Sequence, residues 1–354
     1  MTEIFLTLLA LLVLLWAIGL LYLRGPDLSA FDRPSGQIVN RDQSASQELT
    51  AVIASLGGVA QMLKGTPRRQ HLALLRNYIN TVFPQDDASV QIIPVDAGGV
   101  KAEWVLAANI DVRRRLLYIH GGAYTMGSPT SHRRLTSKFS EVANAAVLSI
   151  DYRLMPEHPR MAGVEDCRAA YRWLLDNGPD AALAPSAMFV AGDSAGGNLT
   201  LSLIAWIRDQ GLRAPDAAVA LSPATDGTLG SPSLKTNLAT DPMLGPLFKS
   251  LTKIPRTGLL WGGWMANRVR PCDPVVSPVF GDLSNLPPLL VHASEAEMLL
   301  DDSRRYVNKA IAAGSPVTLQ TWAYMVHVWQ IYHPELPEGR EAMKEIGKFL
   351  RSRS

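Results

Sequence analysis

Ala187-Met-Phe-Val-Ala-Gly-Asp-Ser-Ala-Gly-Gly-Asn-Leu-Thr200 is the stretch from which the rest of the chain is read. Met188 to Ala191 is apolar and long enough for one buried strand. Leu201, Ile204 and Ile207 continue as an apolar run compatible with a helix. Between them stands Gly192-Asp-Ser-Ala-Gly196. A Gly-x-Ser-x-Gly pentapeptide at a strand-to-helix turn is the pattern of a nucleophile elbow. The glycines leave room in a turn too tight for side chains. The serine hydroxyl is thereby presented at the carboxyl end of the strand, where the following helix points its partial positive charge. The same five residues also describe a Gly-rich turn with an incidental serine, so other motifs must decide.

Working outward, strand-like runs alternate with helical segments. Val90 to Val95 and Val100 to Leu106 flank Asp96-Ala-Gly-Gly99 and read as a hairpin. Further apolar runs follow at 116–119, 146–150, 188–190, 217–221, 289–291 and 317–322. This alternation predicts an α/β fold with a mainly parallel sheet and helices on both faces. Before it, Leu49, Val52, Ile53, Leu56 and Val59, then Leu72, Leu74, Leu75, Tyr78 and Ile79, recur at helical spacing and predict a helical cap. Residues 25–45 are polar, contain Pro and Gly, and read as a linker. The expected division is an anchor over 1–24, a linker over 25–45, a cap segment over 46–86 and a catalytic domain over 87–354. A cap insertion at about 235–270 falls within the last.

The anchor is Ile4 to Leu23, 20 residues without a charge. As a helix it rises about 30 Å, one hydrocarbon core. A cleaved signal peptide would want a basic start, a shorter apolar core and small residues before the cut. Here Met-Thr-Glu precedes a long core and Arg24-Gly-Pro26 follows it. The reading is a single-pass membrane protein with the bilayer as a partner. Arg24, Arg33 and Arg41 all follow the span, which leans the body to the cytoplasmic side. With 47% hydrophobic residues in 354, the chain can bury a large core. Its net charge of +2, with no basic block, argues against a nucleic-acid partner. Cys167 and Cys272 stand apart from any Cys/His cluster and suggest no metal site.

Three motifs join the elbow. His120-Gly-Gly-Ala123 directly follows the run ending at Ile119. Gly-rich backbone amides close to the elbow suit an oxyanion, since fixed donors need no reorganisation. The candidate donors are the amides of Gly122, Ala123 and Ala195, with His120, Gly121 and Asp193 as structural residues of the loop. A serine hydroxyl also needs a base within hydrogen-bond reach. Of seven histidines, His327 lies just past the last strand and is the candidate. His132, His158 and His333 are read as surface, loop or supporting residues, His71 as part of the cap, and His292 as part of a strand. After the run 289–291 come four carboxylates, Glu295, Glu297, Asp301 and Asp302. Any of them could orient the imidazole. Asp301 and Asp302 best fit a helix-end role.

These motifs together resemble the hormone-sensitive-lipase branch of the α/β-hydrolases, the bacterial esterases related to arylacetamide deacetylase. The resemblance rests on Tyr118-Ile-His-Gly-Gly-Ala123, Asp151-Tyr-Arg-Leu-Met-Pro-Glu-His-Pro159 and Gly192-Asp-Ser-Ala-Gly-Gly-Asn198. It extends through Ser222-Pro-Ala-Thr-Asp226, Asp273-Pro-Val-Val-Ser-Pro278, Leu286-Pro-Pro-Leu-Leu290 and Leu336-Pro-Glu-Gly-Arg340. Val95 to Trp104 is also similar to a subgroup of acetyl-hydrolases and ε-lactone hydrolases. The resemblance implies the α/β-hydrolase fold and places the catalytic acid at Glu297, where the family's Asp-Pro-Leu-x-Asp register falls on Glu297-Met-Leu-Leu-Asp301. Two departures are a glutamate in place of aspartate and Ala123 where glycine is commoner. Ser194, Glu297 and His327 then stand in the chain order of that fold. The implied protein is a serine hydrolase acting on a small ester or lactone, with no metal or cofactor required. Alternatives are an amidase or deacetylase with the same triad, and a non-catalytic ligand-binding protein on this fold.

Overall fold

The computed structural model describes residues 1–40, 44–83 and 90–353. Arg41 and the expected boundary between residues 86 and 87 lie outside the described residues. Among these residues one sheet has nine strands. They are β1 (Gln37–Ile38), β2 (Gln91–Asp96), β3 (Lys101–Leu106), β4 (Arg114–Ile119), β5 (Ala146–Ile150), β6 (Ala187–Asp193), β7 (Ala217–Leu221), β8 (Leu289–Ser294) and β9 (Val317–Trp322). Their spatial order is β1-β9-β8-β7-β6-β4-β5-β3-β2. Only β3 is antiparallel to its neighbours, β2 and β5. The expected hairpin and six further runs are all strands. β4 through β8 are buried along their whole length, as sheet strands covered on both faces must be.

The helices are α1 (Thr2–Ile18), α2 (Gln47–Leu63), α3 (Arg68–Thr81), α4 (Pro129–Ala143), α5 (Arg160–Leu174), α6 (Ser194–Asp209), α7 (Ser233–Thr236), α8 (Leu244–Phe248), α9 (Arg256–Asn267), α10 (Leu300–Ala312) and α11 (Pro337–Arg351). The apolar helix continues as a π-helical turn, Gly19–Leu23. One core layer packs α5 and α6 residues such as Tyr171 and Leu203 beneath β4 and β5. The opposite layer packs Phe139 of α4 and Met343 and Ile346 of α11 against Leu116 and Phe189.

The chain runs from β4 outward to β5, then returns across β4 to β6. Strand order therefore reverses between β4 and β6, and their carboxyl ends leave a crevice where such sheets bind ligands. The His120 loop follows β4 and Ser194 follows β6, so both motifs open into this crevice.

The linker expectation needs correcting. Residues 25–40 are docked on the body. Leu28 is buried, and β1 pairs in parallel with β9. Asp32 forms a two-pronged ion pair with Arg305 of α10, at 2.5 and 2.9 Å. Such long-range pairing leaves no periodic trace in a short polar stretch. The two cap helices frame the crevice. Leu49 and Val52 of α2 pack with Met325, Val326 and Trp329, around His327. Arg76 of α3 donates to Thr125 O and Met155 O and pairs with Glu157.

Candidate active site

β6 ends in Asp193, and Ser194 begins α6 with φ +52°. A non-glycine residue in the left-handed region is strained, and the strain is held by packing on both sides of the turn. The space is as tight as the elbow pattern demands. A Cβ on Gly196 would stand 1.9 Å from Ile119 O and 2.6 Å from His120 O. One on Gly192 would stand 2.6 Å from Ile119 O. The elbow is thus pressed directly against the end of β4, which brings the two loops together.

His327 Nε2 lies 2.9 Å from Ser194 Oγ, and His327 Nδ1 lies 2.6 Å from Glu297 Oε2. Facing a carboxylate, Nδ1 carries the proton and donates, which leaves Nε2 free to accept from the serine hydroxyl. Glu297 is fully buried, and its other oxygen, Oε1, accepts from Ser294 N at 2.8 Å. Burial alone would disfavour a charged imidazole at His327. The Glu297 hydrogen bond and charge outweigh it, helped by Asp241 and Asp193, and hold its pKa above the ordinary value. An imidazole so placed can take a proton from the hydroxyl and keep it in a site with little water.

The oxyanion loop is built from residues around it. Gly122 has φ +112°, and a Cβ there would stand 2.2 Å from Met126 O. Ala123 adopts φ +54°, so the departure from glycine is accommodated in the left-handed region at some conformational cost. Among the described residues, no loop hydrogen bond uses the amide of Gly122 or Ala123. Ala195, second in α6, has an amide with no intrahelical acceptor. Asp193 holds the loop from below, accepting from Tyr118 Oη at 2.7 Å and Gly121 N at 3.0 Å. Burial works against its charge, yet His132 and Tyr118 bring its pKa down. His120 is stacked on Tyr152 with ring centroids 4.3 Å apart, and its Nδ1 donates to Gly121 O at 2.7 Å. Burial lowers its pKa to about 3, so it is neutral and serves the loop as packing.

The four carboxylates separate by contact. Glu295 pairs with Arg304 at 2.8 Å. Asp301 accepts from Ser233 N and lies 3.5 Å from Arg304. Asp302 is not the helix-end charge expected of it. It is buried, with Oδ2 accepting from Thr225 N and Asp226 N at 2.7 and 2.9 Å and Oδ1 from Ser231 Oγ. Burial, then the neighbouring Asp226, hold its carboxyl well above the ordinary range. It ties the cap connection to the core. The other histidines also resolve. His132 is buried 3.4 Å from Asp193, His292 is buried in β8, and His71 Nε2 meets Thr66 O within the cap. His333, read as peripheral, is buried with Nε2 on Arg134 O.

Sequence reasoning missed several supports. Asn237 donates to Glu295 O and Glu297 O, both at 2.9 Å. Asp241 is buried and accepts from Met298 N at 2.9 Å, next to the acid. Ser222 Oγ accepts from Val328 N, beside the base. Asn198 donates to Ala224 O and Val276 O and accepts from Arg160. Only Asn198, inside the quoted elbow, had any local signal.

With this geometry, comparison with known proteins is informative. Residues 116–331 match the family described as alpha/beta hydrolase fold. An acetyl-hydrolase of Streptomyces hygroscopicus is 43% identical over 258 residues, covering 73% of this chain and 82% of the relative. An esterase of Acinetobacter venetianus is 33% identical over 271 residues, covering 77% of this chain and 85% of the relative. The crystal structure of an esterase from the bacterial hormone-sensitive lipase family superposes with a TM-score of 0.76 at 37% identity, covering 88% of this chain and 99% of that one. The crevice at the strand reversal, the elbow pressed on β4 and these relatives agree: this chain belongs to the hormone-sensitive-lipase branch of the α/β-hydrolase family and is a carboxylic ester hydrolase.

Proposed function

We propose that the protein is a membrane-anchored serine carboxylesterase that cleaves short- to medium-chain carboxylic esters, acetyl esters and lactones among them, through an acyl-enzyme. Ser194 is the nucleophile, His327 the general base and acid, and Glu297 the residue that orients and charge-balances His327. The observation that carries this reading is the relay of 2.6 and 2.9 Å from Glu297 through His327 to Ser194. Ser194 Oγ attacks the ester carbonyl carbon as its proton passes to His327 Nε2. The oxyanion is held by the amides of Gly122, Ala123 and Ala195. Collapse breaks the bond to the alcohol oxygen, which leaves with the proton from His327. Water then enters, gives a proton to His327 and releases the acid by the same route.

The anchor is the apolar helix Thr2–Leu23, followed by the docked segment to residue 45, the cap helices over 46–86 and the catalytic domain from 87 with its cap insertion at 235–270. Arg24 and Arg33 support a body on the cytoplasmic side. Turnover of p-nitrophenyl acetate against a Ser194→Ala control tests the chemistry. Loss of activity with an unchanged circular dichroism spectrum is expected, and near-normal turnover would sink the assignment. Deleting residues 1–24 should free the protein from membranes after a carbonate wash. Continued sedimentation with membranes would refute a single anchor.

A further inference from the structure

The cap insertion has a surface that ester chemistry does not require. Between Asp241 and Asp273 the chain carries five basic residues, Lys249, Lys253, Arg256, Arg268 and Arg270, and no acidic one. The same segment exposes Leu247 (59%), Leu251 (38%), Ile254 (45%) and Met265 (56%) to solvent. Exposed apolar side chains interleaved with lysines are the composition of a surface that lies in a bilayer interface.

This face adjoins the apolar amino-terminal helix. Trp261 Nε1 of α9 donates to Leu15 O at 3.1 Å. Gly19 leaves room for Thr257 and Trp261, which a Cβ there would meet at 3.5 Å. The Arg270 guanidinium lies 4.9 Å from the Tyr22 ring centroid, and Leu23 is buried. Length then sets the depth. From Thr2 to Leu15 a helix rises only about 20 Å, short of a hydrocarbon core of roughly 30 Å. A span must therefore use the stretch from Leu15 to Leu23 as well, and that stretch is the one α9 covers. If the helix crosses, α9 stands at the membrane boundary.

The other end of the insertion reaches the catalytic crevice. Leu244 and Phe248 of α8 pack against Met298 and Leu299, directly after Glu297, and Asp241 binds Met298 N. One continuous segment links membrane boundary and site.

We propose that residues 244–267 rest in an anionic bilayer interface, so that the crevice draws membrane-partitioned esters from the lipid phase. This rests on reading Thr2–Leu23 as a span. The test uses the full chain in vesicles of phosphatidylcholine and phosphatidylglycerol. Single cysteines carrying an environment-sensitive fluorophore replace Leu251, Leu12 in α1, and Leu183 in the loop before β6; the native Cys167 and Cys272 are buried. Labels at 12 and 251 should shift to the blue and be quenched by nitroxide lipids, and a label at 183 should not. A water-like label at 251 with a lipid-embedded label at 12 overturns the inference and leaves the anchor standing. Water-like labels at both positions overturn the two together. A companion variant, Leu247→Ser with Leu251→Ser and Ile254→Ser, should lose at least severalfold in rate on a long-chain ester presented in vesicles while keeping its rate on soluble p-nitrophenyl acetate. An equal loss on both substrates, or on neither, refutes the lipid-phase route.

Discussion

Glu297→Gln is the sharpest probe of the site, because the change preserves shape and the surroundings dictate its consequence. The carboxylate uses both oxygens as acceptors, Oε1 for Ser294 N and Oε2 for His327 Nδ1. A glutamine has one oxygen and one NH2. If its oxygen keeps Ser294 N, the NH2 donates to Nδ1, and the imidazole proton moves to Nε2, facing Ser194. That tautomer cannot accept the serine proton. If the amide flips, the useful tautomer returns, but a buried NH2 then opposes the Ser294 N–H. An unsatisfied buried donor costs about 1–3 kcal/mol, so the productive arrangement is reduced about 5- to 150-fold. The imidazolium formed during reaction also loses its counter-charge. Together these lower kcat about a hundredfold or more, approaching the ten-thousandfold quoted for the same exchange in the Ser-His-Asp template. The assay is kcat on p-nitrophenyl butyrate for Glu297→Gln beside Glu295→Gln, whose parent residue pairs with Arg304. Glu297→Gln keeping more than about a tenth of wild-type kcat, with Glu295→Gln impaired, would refute the assignment of the acid.

Three further outcomes follow from the same contacts. The acid limb of kcat/KM should lie above the ordinary histidine pKa of about 6.5, because His327 must be neutral to act and its pKa is raised; Glu297→Gln should move that limb to lower pH. The raised value also means that His327 contributes stability below about pH 6.5 that fades as pH rises through its folded pKa, measurable as pH-dependent Tm against His327→Ala. Asp302→Ala should destabilise the fold by about 3 kcal/mol, since it orphans Thr225 N, Asp226 N and the Ser231 hydroxyl; Asp302→Asn should be milder in thermal unfolding, its oxygen keeping both amides and its NH2 meeting Ser231 Oγ. Gly196→Ala should cost more than about 3 kcal/mol because its Cβ meets only backbone, whereas Gly58→Ala in α2, with nothing nearby, should gain up to about 1 kcal/mol in urea unfolding.

What the sequence by itself determined was everything carried by contiguous residues. The elbow, the His-Gly-Gly-Ala loop and the alternation of apolar runs with helical faces are local, because a strand, a tight turn and a helix each impose their period or their glycines on neighbours in the chain. They were enough for the fold, the family and the pairing of Ser194 with a late histidine. The acid was legible only through family register, since four carboxylates share one strand end and nothing in their spacing says which one turns toward the imidazole. Tertiary structure decided that choice: Arg304 takes Glu295, Ser231 and two backbone amides take Asp302, and Glu297 is left against His327. It also decided that the polar stretch after the anchor docks through Asp32 and Arg305, and that Asp241 and Asn237 brace the acid from a distant insertion. It set α9 against the apolar helix through Trp261 and Leu15, 246 residues apart. Such contacts join residues that the chain keeps far apart, and a buried carboxylate or an indole N–H carries no mark of its partner until folding removes water and forces the pairing.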